Sequence, residues 1–412
     1  MDPPAIEAQK PRLLVLASTF PRWANDTEPS FVFDLARRLT DEFAVTVLAP
    51  HAPGSRRTER LEGMGVRRFR YVLPERMERL AYGGILSNLK RNALLWLEVP
   101  PFLLCELVAA YRLARAWRPA VIHAHWILPQ GLVAVIVGGA LGIPVLLTEH
   151  GGAVHGLGGV PLGRVQRWVL RQASALTGVS EDVSRSMRAL LATNRPVPAV
   201  AMGVDTTRFA PAARDRGLKK RLDLKGPLLL FVGRVVEKKG LRYLIEALPA
   251  VLARRPDATL LVVGEGPLRG EAESLARELG VADQVRFLGA LPQAELPALY
   301  ASADVAVVPS VVAESGDREG LPVVLCEALA SGCPVVASPV GGITDVVSDG
   351  ATGLLAPEKD SPALAAAIVS LLEDRRRARR LGAAGRRRVV RLLDKDSIAR
   401  EYGRILRSLA AG

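Results

Sequence analysis

Two carboxylates, Glu319 and Glu327, bracket the run Glu319-Gly-Leu-Pro-Val-Val-Leu-Cys-Glu327, and the residue types that hold anions lie around them. Gly320 and Leu321 open a predicted helix, where backbone N–H groups form a seat for a negative group. Upstream, Gly233-Arg234 and Lys239-Gly240 put a guanidinium fork and an ammonium on one strand-to-helix turn. Glycine lets the backbone come close there, and the two cations suit a diphosphate. Downstream, Gly341-Gly342 exposes backbone after another strand. Paired carboxylates beside an anion seat suit a ligand carrying both phosphate and polyol. Taken alone, two Glu flanking an apolar run are more often a solvated face.

The elements that must position these residues are legible. Asp304–Ser310 is a β-branched run with the pattern of a buried strand, and Val335-Val336-Ala337 starts another. Pro322 fits a first helical turn and Gly332 a left-handed helix end. Glu319 then falls outside a strand's carboxyl end, where open α/β sheets keep their ligand crevices. Glu327 lies about one and a half turns into the helix. Further buried strands are predicted at Leu13–Ser18, Ala44–Leu48, Val66–Val72, Ala120–His123, Val145–Glu149, Leu228–Gly233, Leu260–Gly264 and Val285–Gly289, alternating with helices.

The stretch from Glu319 to Glu327 resembles the Glu-seven-residues-Glu signature of the retaining family-4 (group 1) glycosyltransferases. Gly233-Arg234 with Lys239-Gly240, Gly264-Glu-Gly-Pro267 and Thr148-Glu-His150-Gly151 are similar to further motifs of that family. The resemblance implies an α/β chain of the GT-B fold, with two Rossmann-like doubly wound domains facing across a cleft. It brings Glu319 and His150 to the donor sugar and Glu327 to the ribose. Arg234 and Lys239 go to the leaving diphosphate, and Gly233, Gly264, Gly320, Leu321 and Val323 line the donor. Leu291 stands where relatives pack near the nucleobase, although ordinary packing explains it as well. The Phe20-Pro21-Arg22 start of the Thr19–Ser30 loop matches a variant of the family's first loop.

With 412 residues, two domains are expected. Residues 1–205 read as the N-terminal acceptor domain and 206–226 as a linker. Residues 227–390 read as the nucleotide-sugar domain, and 391–412 as a helix crossing back to the first. The formal charge is +13. It is spread over both halves, with 24 basic and 17 acidic residues up to Asp205 and 31 and 25 after it. No basic stripe with aromatic platforms is present, so nucleic acid is not an expected partner. Nine arginines between Arg375 and Arg391 fit a solvated helix or an anion site. Cys105, Cys326 and Cys333 show no metal-like spacing, which suits a reduced, cytoplasmic setting. Pro3-Pro4 and two acids near the start do not resemble a secretory signal. The uncharged run Trp126–Thr148 is long enough for a membrane span, but Gly138-Gly139 and Gly142-Ile-Pro144 divide it.

His123-Ala-His125 invites a metal, but no third ligand is near, so a packed or cleft-edge pair is expected. No metal and no cofactor are expected, the nucleotide sugar being a co-substrate. The acceptor implied by the resemblance is lipid-linked or a growing glycan. A soluble small-molecule acceptor, a nucleotide-sugar epimerase of the same architecture and a non-catalytic basic binding protein are the alternatives. Ten basic and four acidic residues between Arg56 and Arg91 precede the apolar stretch Leu94–Cys105. Segment 56–104 is therefore an expected contact with an anionic membrane surface, or else a core helix beside solvated arginines.

Overall fold

In the first of two units, Met1–Met202 with Asp396–Gly412, the central strands are buried on both faces and so are covered on both. This is a computed structural model, and it describes residues 10–412 apart from 24, 25, 27, 29, 153 and 155–159. The start of the chain, Pro3-Pro4 included, and part of the Thr19–Ser30 loop lie outside the described residues. The strands are β1 (Arg12–Leu16), β2 (Ala44–Pro50), β3 (Thr58–Leu61), β4 (Met64–Phe69), β5 (Val121–His125), β6 (Val145–Glu149) and β7 (Ala175–Gly178). They form one sheet in the order β3-β4-β2-β1-β5-β6-β7, parallel except for the edge pair β3 and β4. Strands β5 and β6 are buried along their whole length. The Trp126–Thr148 run is divided as its glycines require: the Leu132–Leu141 helix ends at Gly142 in a left-handed conformation, and buried β6 follows.

The C-terminal Lys395–Ala411 helix returns the chain to this unit. Its Tyr402 is fully buried and donates to the Val200 carbonyl at 2.8 Å. At the helix start, Asp396 pairs with Arg38 at 2.6 Å.

The second unit, Gly203–Lys395, holds β8 (Leu228–Val232), β9 (Thr259–Val263), β10 (Val285–Gly289), β11 (Val305–Val308), β12 (Val335–Ala337) and β13 (Leu354–Leu355). Its sheet is parallel throughout, in the order β10-β9-β8-β11-β12-β13. Strand order reverses between β8 and β11, so a crevice opens at their carboxyl ends. Leu229, Phe231, Val262, Val305 and Val307 form the apolar layer beneath it, packed on Leu244, Ile245 and Ile368.

The stretch 206–226, expected as a linker, is instead built into the second unit. Three widely spaced apolar side chains, Phe209, Leu218 and Leu224, are buried there and anchor it. Lys219 pairs with Asp304 at 2.6 Å, and Arg386 donates to the Phe209 carbonyl at 3.0 Å. The boundaries shift for a related reason. Val204 N–H donates to the Leu393 carbonyl at 2.7 Å, and Lys395 N–H to the Val204 carbonyl at 3.1 Å. This clasp carries the second unit back to Gly203 and on to Lys395, past the expected 205 and 390.

Candidate active site

The turn after β8 carries Gly233 and Arg234, then a short 3-10 segment Glu237–Lys239 and the Leu241–Arg254 helix. Gly240 joins the two at φ +65°, and a Cβ there would lie 1.8 Å from the Pro309 carbonyl oxygen. Only glycine allows this turn to press on the loop after β11. Val311 N–H donates to the Lys238 carbonyl at 2.9 Å and fixes the contact. Lys239 runs its stem beside Gly233 and reaches the second loop, while Arg234 is exposed on the first.

On that second loop, Glu319 Oε2 lies 3.0 Å from Lys239 Nζ, with both side chains largely buried. Burial alone would push the Glu319 carboxyl up, but the Lys239 and Lys238 ammoniums together hold it below the usual range. Glu319 is therefore ionised at neutral pH. Its other oxygen, Oε1, is buried without a hydrogen-bond partner in the protein. Lys238 has its own carboxylate, Asp317, at 3.2 Å. Gly341, at φ +59°, lets the loop after β12 pass over this one, since a Cβ would fall 2.0 Å from the Glu319 carbonyl oxygen. Gly342 N–H then donates to the Gly320 carbonyl at 2.7 Å and orients that peptide. Leu321 is half-buried, and Val323 opens the Val323–Ala330 helix, which no side chain caps.

Glu327 is buried inside that helix and accepts from the Tyr300 hydroxyl at 3.1 Å. Burial pushes its carboxyl up to about 7, against the pull of Lys395, Tyr300, Gln293 and Arg208. Gln293 comes from the loop after β10, which also holds Leu291, half-buried. Gly264 follows β9 and donates to the Gly289 carbonyl at 2.8 Å. A Cβ on Gly264 would lie 1.9 Å from the Gly233 carbonyl, so the ends of β8, β9 and β10 are packed backbone to backbone. The second unit thus gathers Gly233, Arg234, Lys239, Gly264, Leu291, Glu319, Gly320, Leu321, Val323 and Glu327 on loops at one end of its sheet and the helix they open.

His150 lies in the first unit, after β6. Its Nε2 is 3.1 Å from His125 Nδ1, and its ring stacks on Trp126 with centroids 4.6 Å apart. Burial, with a smaller push from His123, lowers the His150 imidazole to about 3, so it is neutral at physiological pH. His123 and His125 are a packed pair with ring centroids 4.2 Å apart, and His123 Nε2 engages Thr148 Oγ1 at 2.8 Å. Among the described residues no group of three or more His, Cys, Asp or Glu side chains could hold a metal ion. Glu149 is fully buried and accepts from the Ile127 and Gly151 amides, each at 2.8 Å, which ties the backbone after His150 to the turn after β5.

Sequence reasoning missed several of these roles. His125 orients His150, Tyr300 and Gln293 serve Glu327, and Lys238 adds to the field on Glu319. A signal existed for His125, since two His on one strand point the same way and the next strand is followed directly by His150. For Tyr300 and Gln293 none existed. In the basic Arg375–Leu393 helix, Arg386 donates to the Thr206, Phe209 and Ala330 carbonyls and Arg388 to the Asp345 carbonyl. Those two arginines are structural; Arg375, Arg376, Arg379, Arg380 and Arg387 are solvated.

Known proteins resemble this chain in both sequence and fold. Residues 217–388 match the model of the family described as glycosyl transferases group 1, and residues 30–208 match glycosyltransferase family 4. A GDP-mannose-dependent alpha-(1-6)-phosphatidylinositol monomannoside mannosyltransferase of Mycolicibacterium smegmatis is 35% identical over 291 residues, 69% of this chain and 76% of that protein. A 2-deoxystreptamine glucosyltransferase of Streptomyces kanamyceticus is 33% identical, over 66% of this chain and 73% of that one. Among solved structures, a sucrose-phosphate synthase from Thermosynechococcus elongatus superposes with a TM-score of 0.77 at 24% identity, covering 98% of this chain and 100% of that one. The sequence relatives and the two parallel-sheet units agree: this chain belongs to the group 1 glycosyltransferases and is an enzyme of the GT-B fold.

Proposed function

We propose that the enzyme moves a hexose from a nucleotide diphosphate sugar to a lipid-linked acceptor, with retention at the anomeric carbon and without a divalent metal in the chemical step. One observation carries the reading: the buried pair of Lys239 and Glu319, held between two loops at the sheet's switch point, with one carboxylate oxygen left without a protein partner. A donor diphosphate seated beside Gly233 would draw the Lys239 ammonium and free Glu319 to accept from sugar hydroxyls. Glu327, deeper in its helix, would accept from the ribose hydroxyls. When the C1–O bond to the diphosphate breaks, negative charge grows on the leaving oxygen and oxocarbenium character on the sugar; the acceptor oxygen then bonds to C1 from the same face and gives its proton to the leaving phosphate. Arg234 and Lys239 oppose the first, which is the work a metal does in other transferases.

The acceptor class is supported by the relatives that act on phosphatidylinositol mannosides. The 2-deoxystreptamine glucosyltransferase relative is the observation that favours a soluble acceptor instead. A thermal-shift screen of GDP-, UDP- and ADP-sugars against wild type and Lys239→Ala tests the donor site. One nucleotide sugar should raise the Tm of wild type and lose most of that effect on the variant. No shift with any, or an equal shift on both, would contradict the assignment.

A further inference from the structure

The Ala93–Trp117 stretch is long and apolar enough to cross a membrane by length and composition, yet only 22% of its most apolar window is buried. Its inward face is fixed in the first unit, because Phe102, Glu106, Ala110 and Ala114 recur every fourth residue and are all buried. A helix docked this way does not span a bilayer. Its outward face is apolar: Leu94 is 72% exposed, Leu97 76% and Leu104 61%, with Trp96 and Val108 beside them. Soluble monomers rarely show water so continuous an apolar stripe.

The surroundings of this stripe are basic. Between the helix and β4 lies an open groove of about 860 Å³ lined by Leu104, Val108, Arg57, Arg67 and Arg112, and the three arginines are solvent-exposed. Three acids of this segment have partners other than these three arginines. Glu59 pairs with Arg68, Glu78 is buried against His51, and Glu98 accepts from the Arg79 and Leu80 amides. Two copies meeting through this face would bring their arginine rims together, which disfavours a homodimer here. Phosphates above an acyl layer match both features, the cations at headgroup level and the leucines below it.

We infer that the outer face of the Ala93–Trp117 stretch, with Arg57, Arg67 and Arg112, docks the enzyme on an anionic phospholipid bilayer without crossing it. This goes beyond the proposed reaction and does not depend on the acceptor's identity. The test is co-sedimentation of the full chain with phosphatidylcholine vesicles, with and without phosphatidylglycerol, at low and high NaCl. Binding should be at least about tenfold stronger to the anionic vesicles and weaken with salt. A variant carrying Arg57→Gln, Arg67→Gln and Arg112→Gln should lose about 100-fold of that partitioning, at roughly fivefold per arginine. A second variant with Leu94→Gln, Leu97→Gln and Leu104→Gln should lose binding while keeping the wild-type circular dichroism and donor-induced thermal shift. Equal binding to both vesicles, binding to neither, or wild-type binding by both variants would overturn the inference. So would a dimer in sedimentation equilibrium that the leucine variant abolishes. A chain that sediments with anionic vesicles but transfers no sugar would contradict the proposed reaction and leave this docking intact.

Discussion

Replacing Lys239 by alanine removes one partner of a nearly buried ion pair and leaves the other behind. At the 3.0 Å separation of Lys239 Nζ and Glu319 Oε2, the attraction is about 5 kcal/mol at an effective dielectric near 20. Relaxation and water entry offset part of that, so a net destabilisation of about 3 kcal/mol is expected at neutral pH. The pH dependence gives the sign. In wild type the Glu319 carboxyl sits below its ordinary value, so its stabilisation is present above the unfolded pKa and is lost as pH falls through the folded one. Without Lys239, burial dominates and the carboxyl rises, so the variant is penalised most at neutral pH and relieved on acidification. The gap between wild type and Lys239→Ala should therefore shrink from pH 7.5 to pH 5, and adding Glu319→Gln to the variant should recover most of it. All five tryptophans precede residue 203, so their fluorescence does not report the second unit. Hydrogen exchange of the β8 and β11 amides does. A pH-independent gap, or a double variant no more stable than Lys239→Ala, would refute the reasoning. On activity, Lys239→Ala should lower kcat/KM by about 10²- to 10³-fold, the scale of one lost cation on a developing oxyanion.

Other outcomes follow from the same geometry. Glu327 is held up to about 7, so affinity for the nucleotide diphosphate sugar, whose esterified phosphates do not titrate in this range, should rise by calorimetry as pH goes from 6 to 8 and the carboxylate forms. Glu327→Gln should bind weakly and without that pH dependence; an equal slope in both proteins would contradict the role. Arg234→Ala should lose about 2 kcal/mol of transition-state stabilisation in kcat/KM, and a chelator should leave wild-type initial rates unchanged, whereas loss restored by Mg²⁺ or Mn²⁺ would assign the leaving-group charge to a metal. His125→Ala should lower kcat through a misplaced His150 more than His125→Asn, whose amide can keep a hydrogen bond; equal kinetics for the two would remove the positioning role.

Much of the frame was legible because parallel strands covered on both faces are unbroken apolar runs. Leu228–Val232 and Val305–Val308 stand out against their glycines and prolines. Strand β3 was not legible: Thr58–Leu61 is polar and lies on a sheet edge. The 206–226 stretch read as a linker because its charges hide three irregularly spaced anchors, and anchoring is a tertiary fact. At the site, spacing picked out Glu319, Glu327, Arg234 and Lys239 as candidates. Their pairing was beyond reach, since the Lys239–Glu319 contact depends on Gly240 fitting against Pro309. The position of Tyr300 over Glu327 likewise depends on how two helices pack.

The central claim, transfer from a nucleotide sugar with retention, is tested most directly by proton NMR of a turnover followed in real time. Once the thermal-shift screen has identified the donor, its α-configured form is supplied with a short-chain lipid-linked acceptor. The first product to appear should carry an α-glycosidic anomeric signal, at a rate that Lys239→Ala lowers by at least about 100-fold. A β-linked first product, or donor consumed equally fast by the variant, would contradict the account.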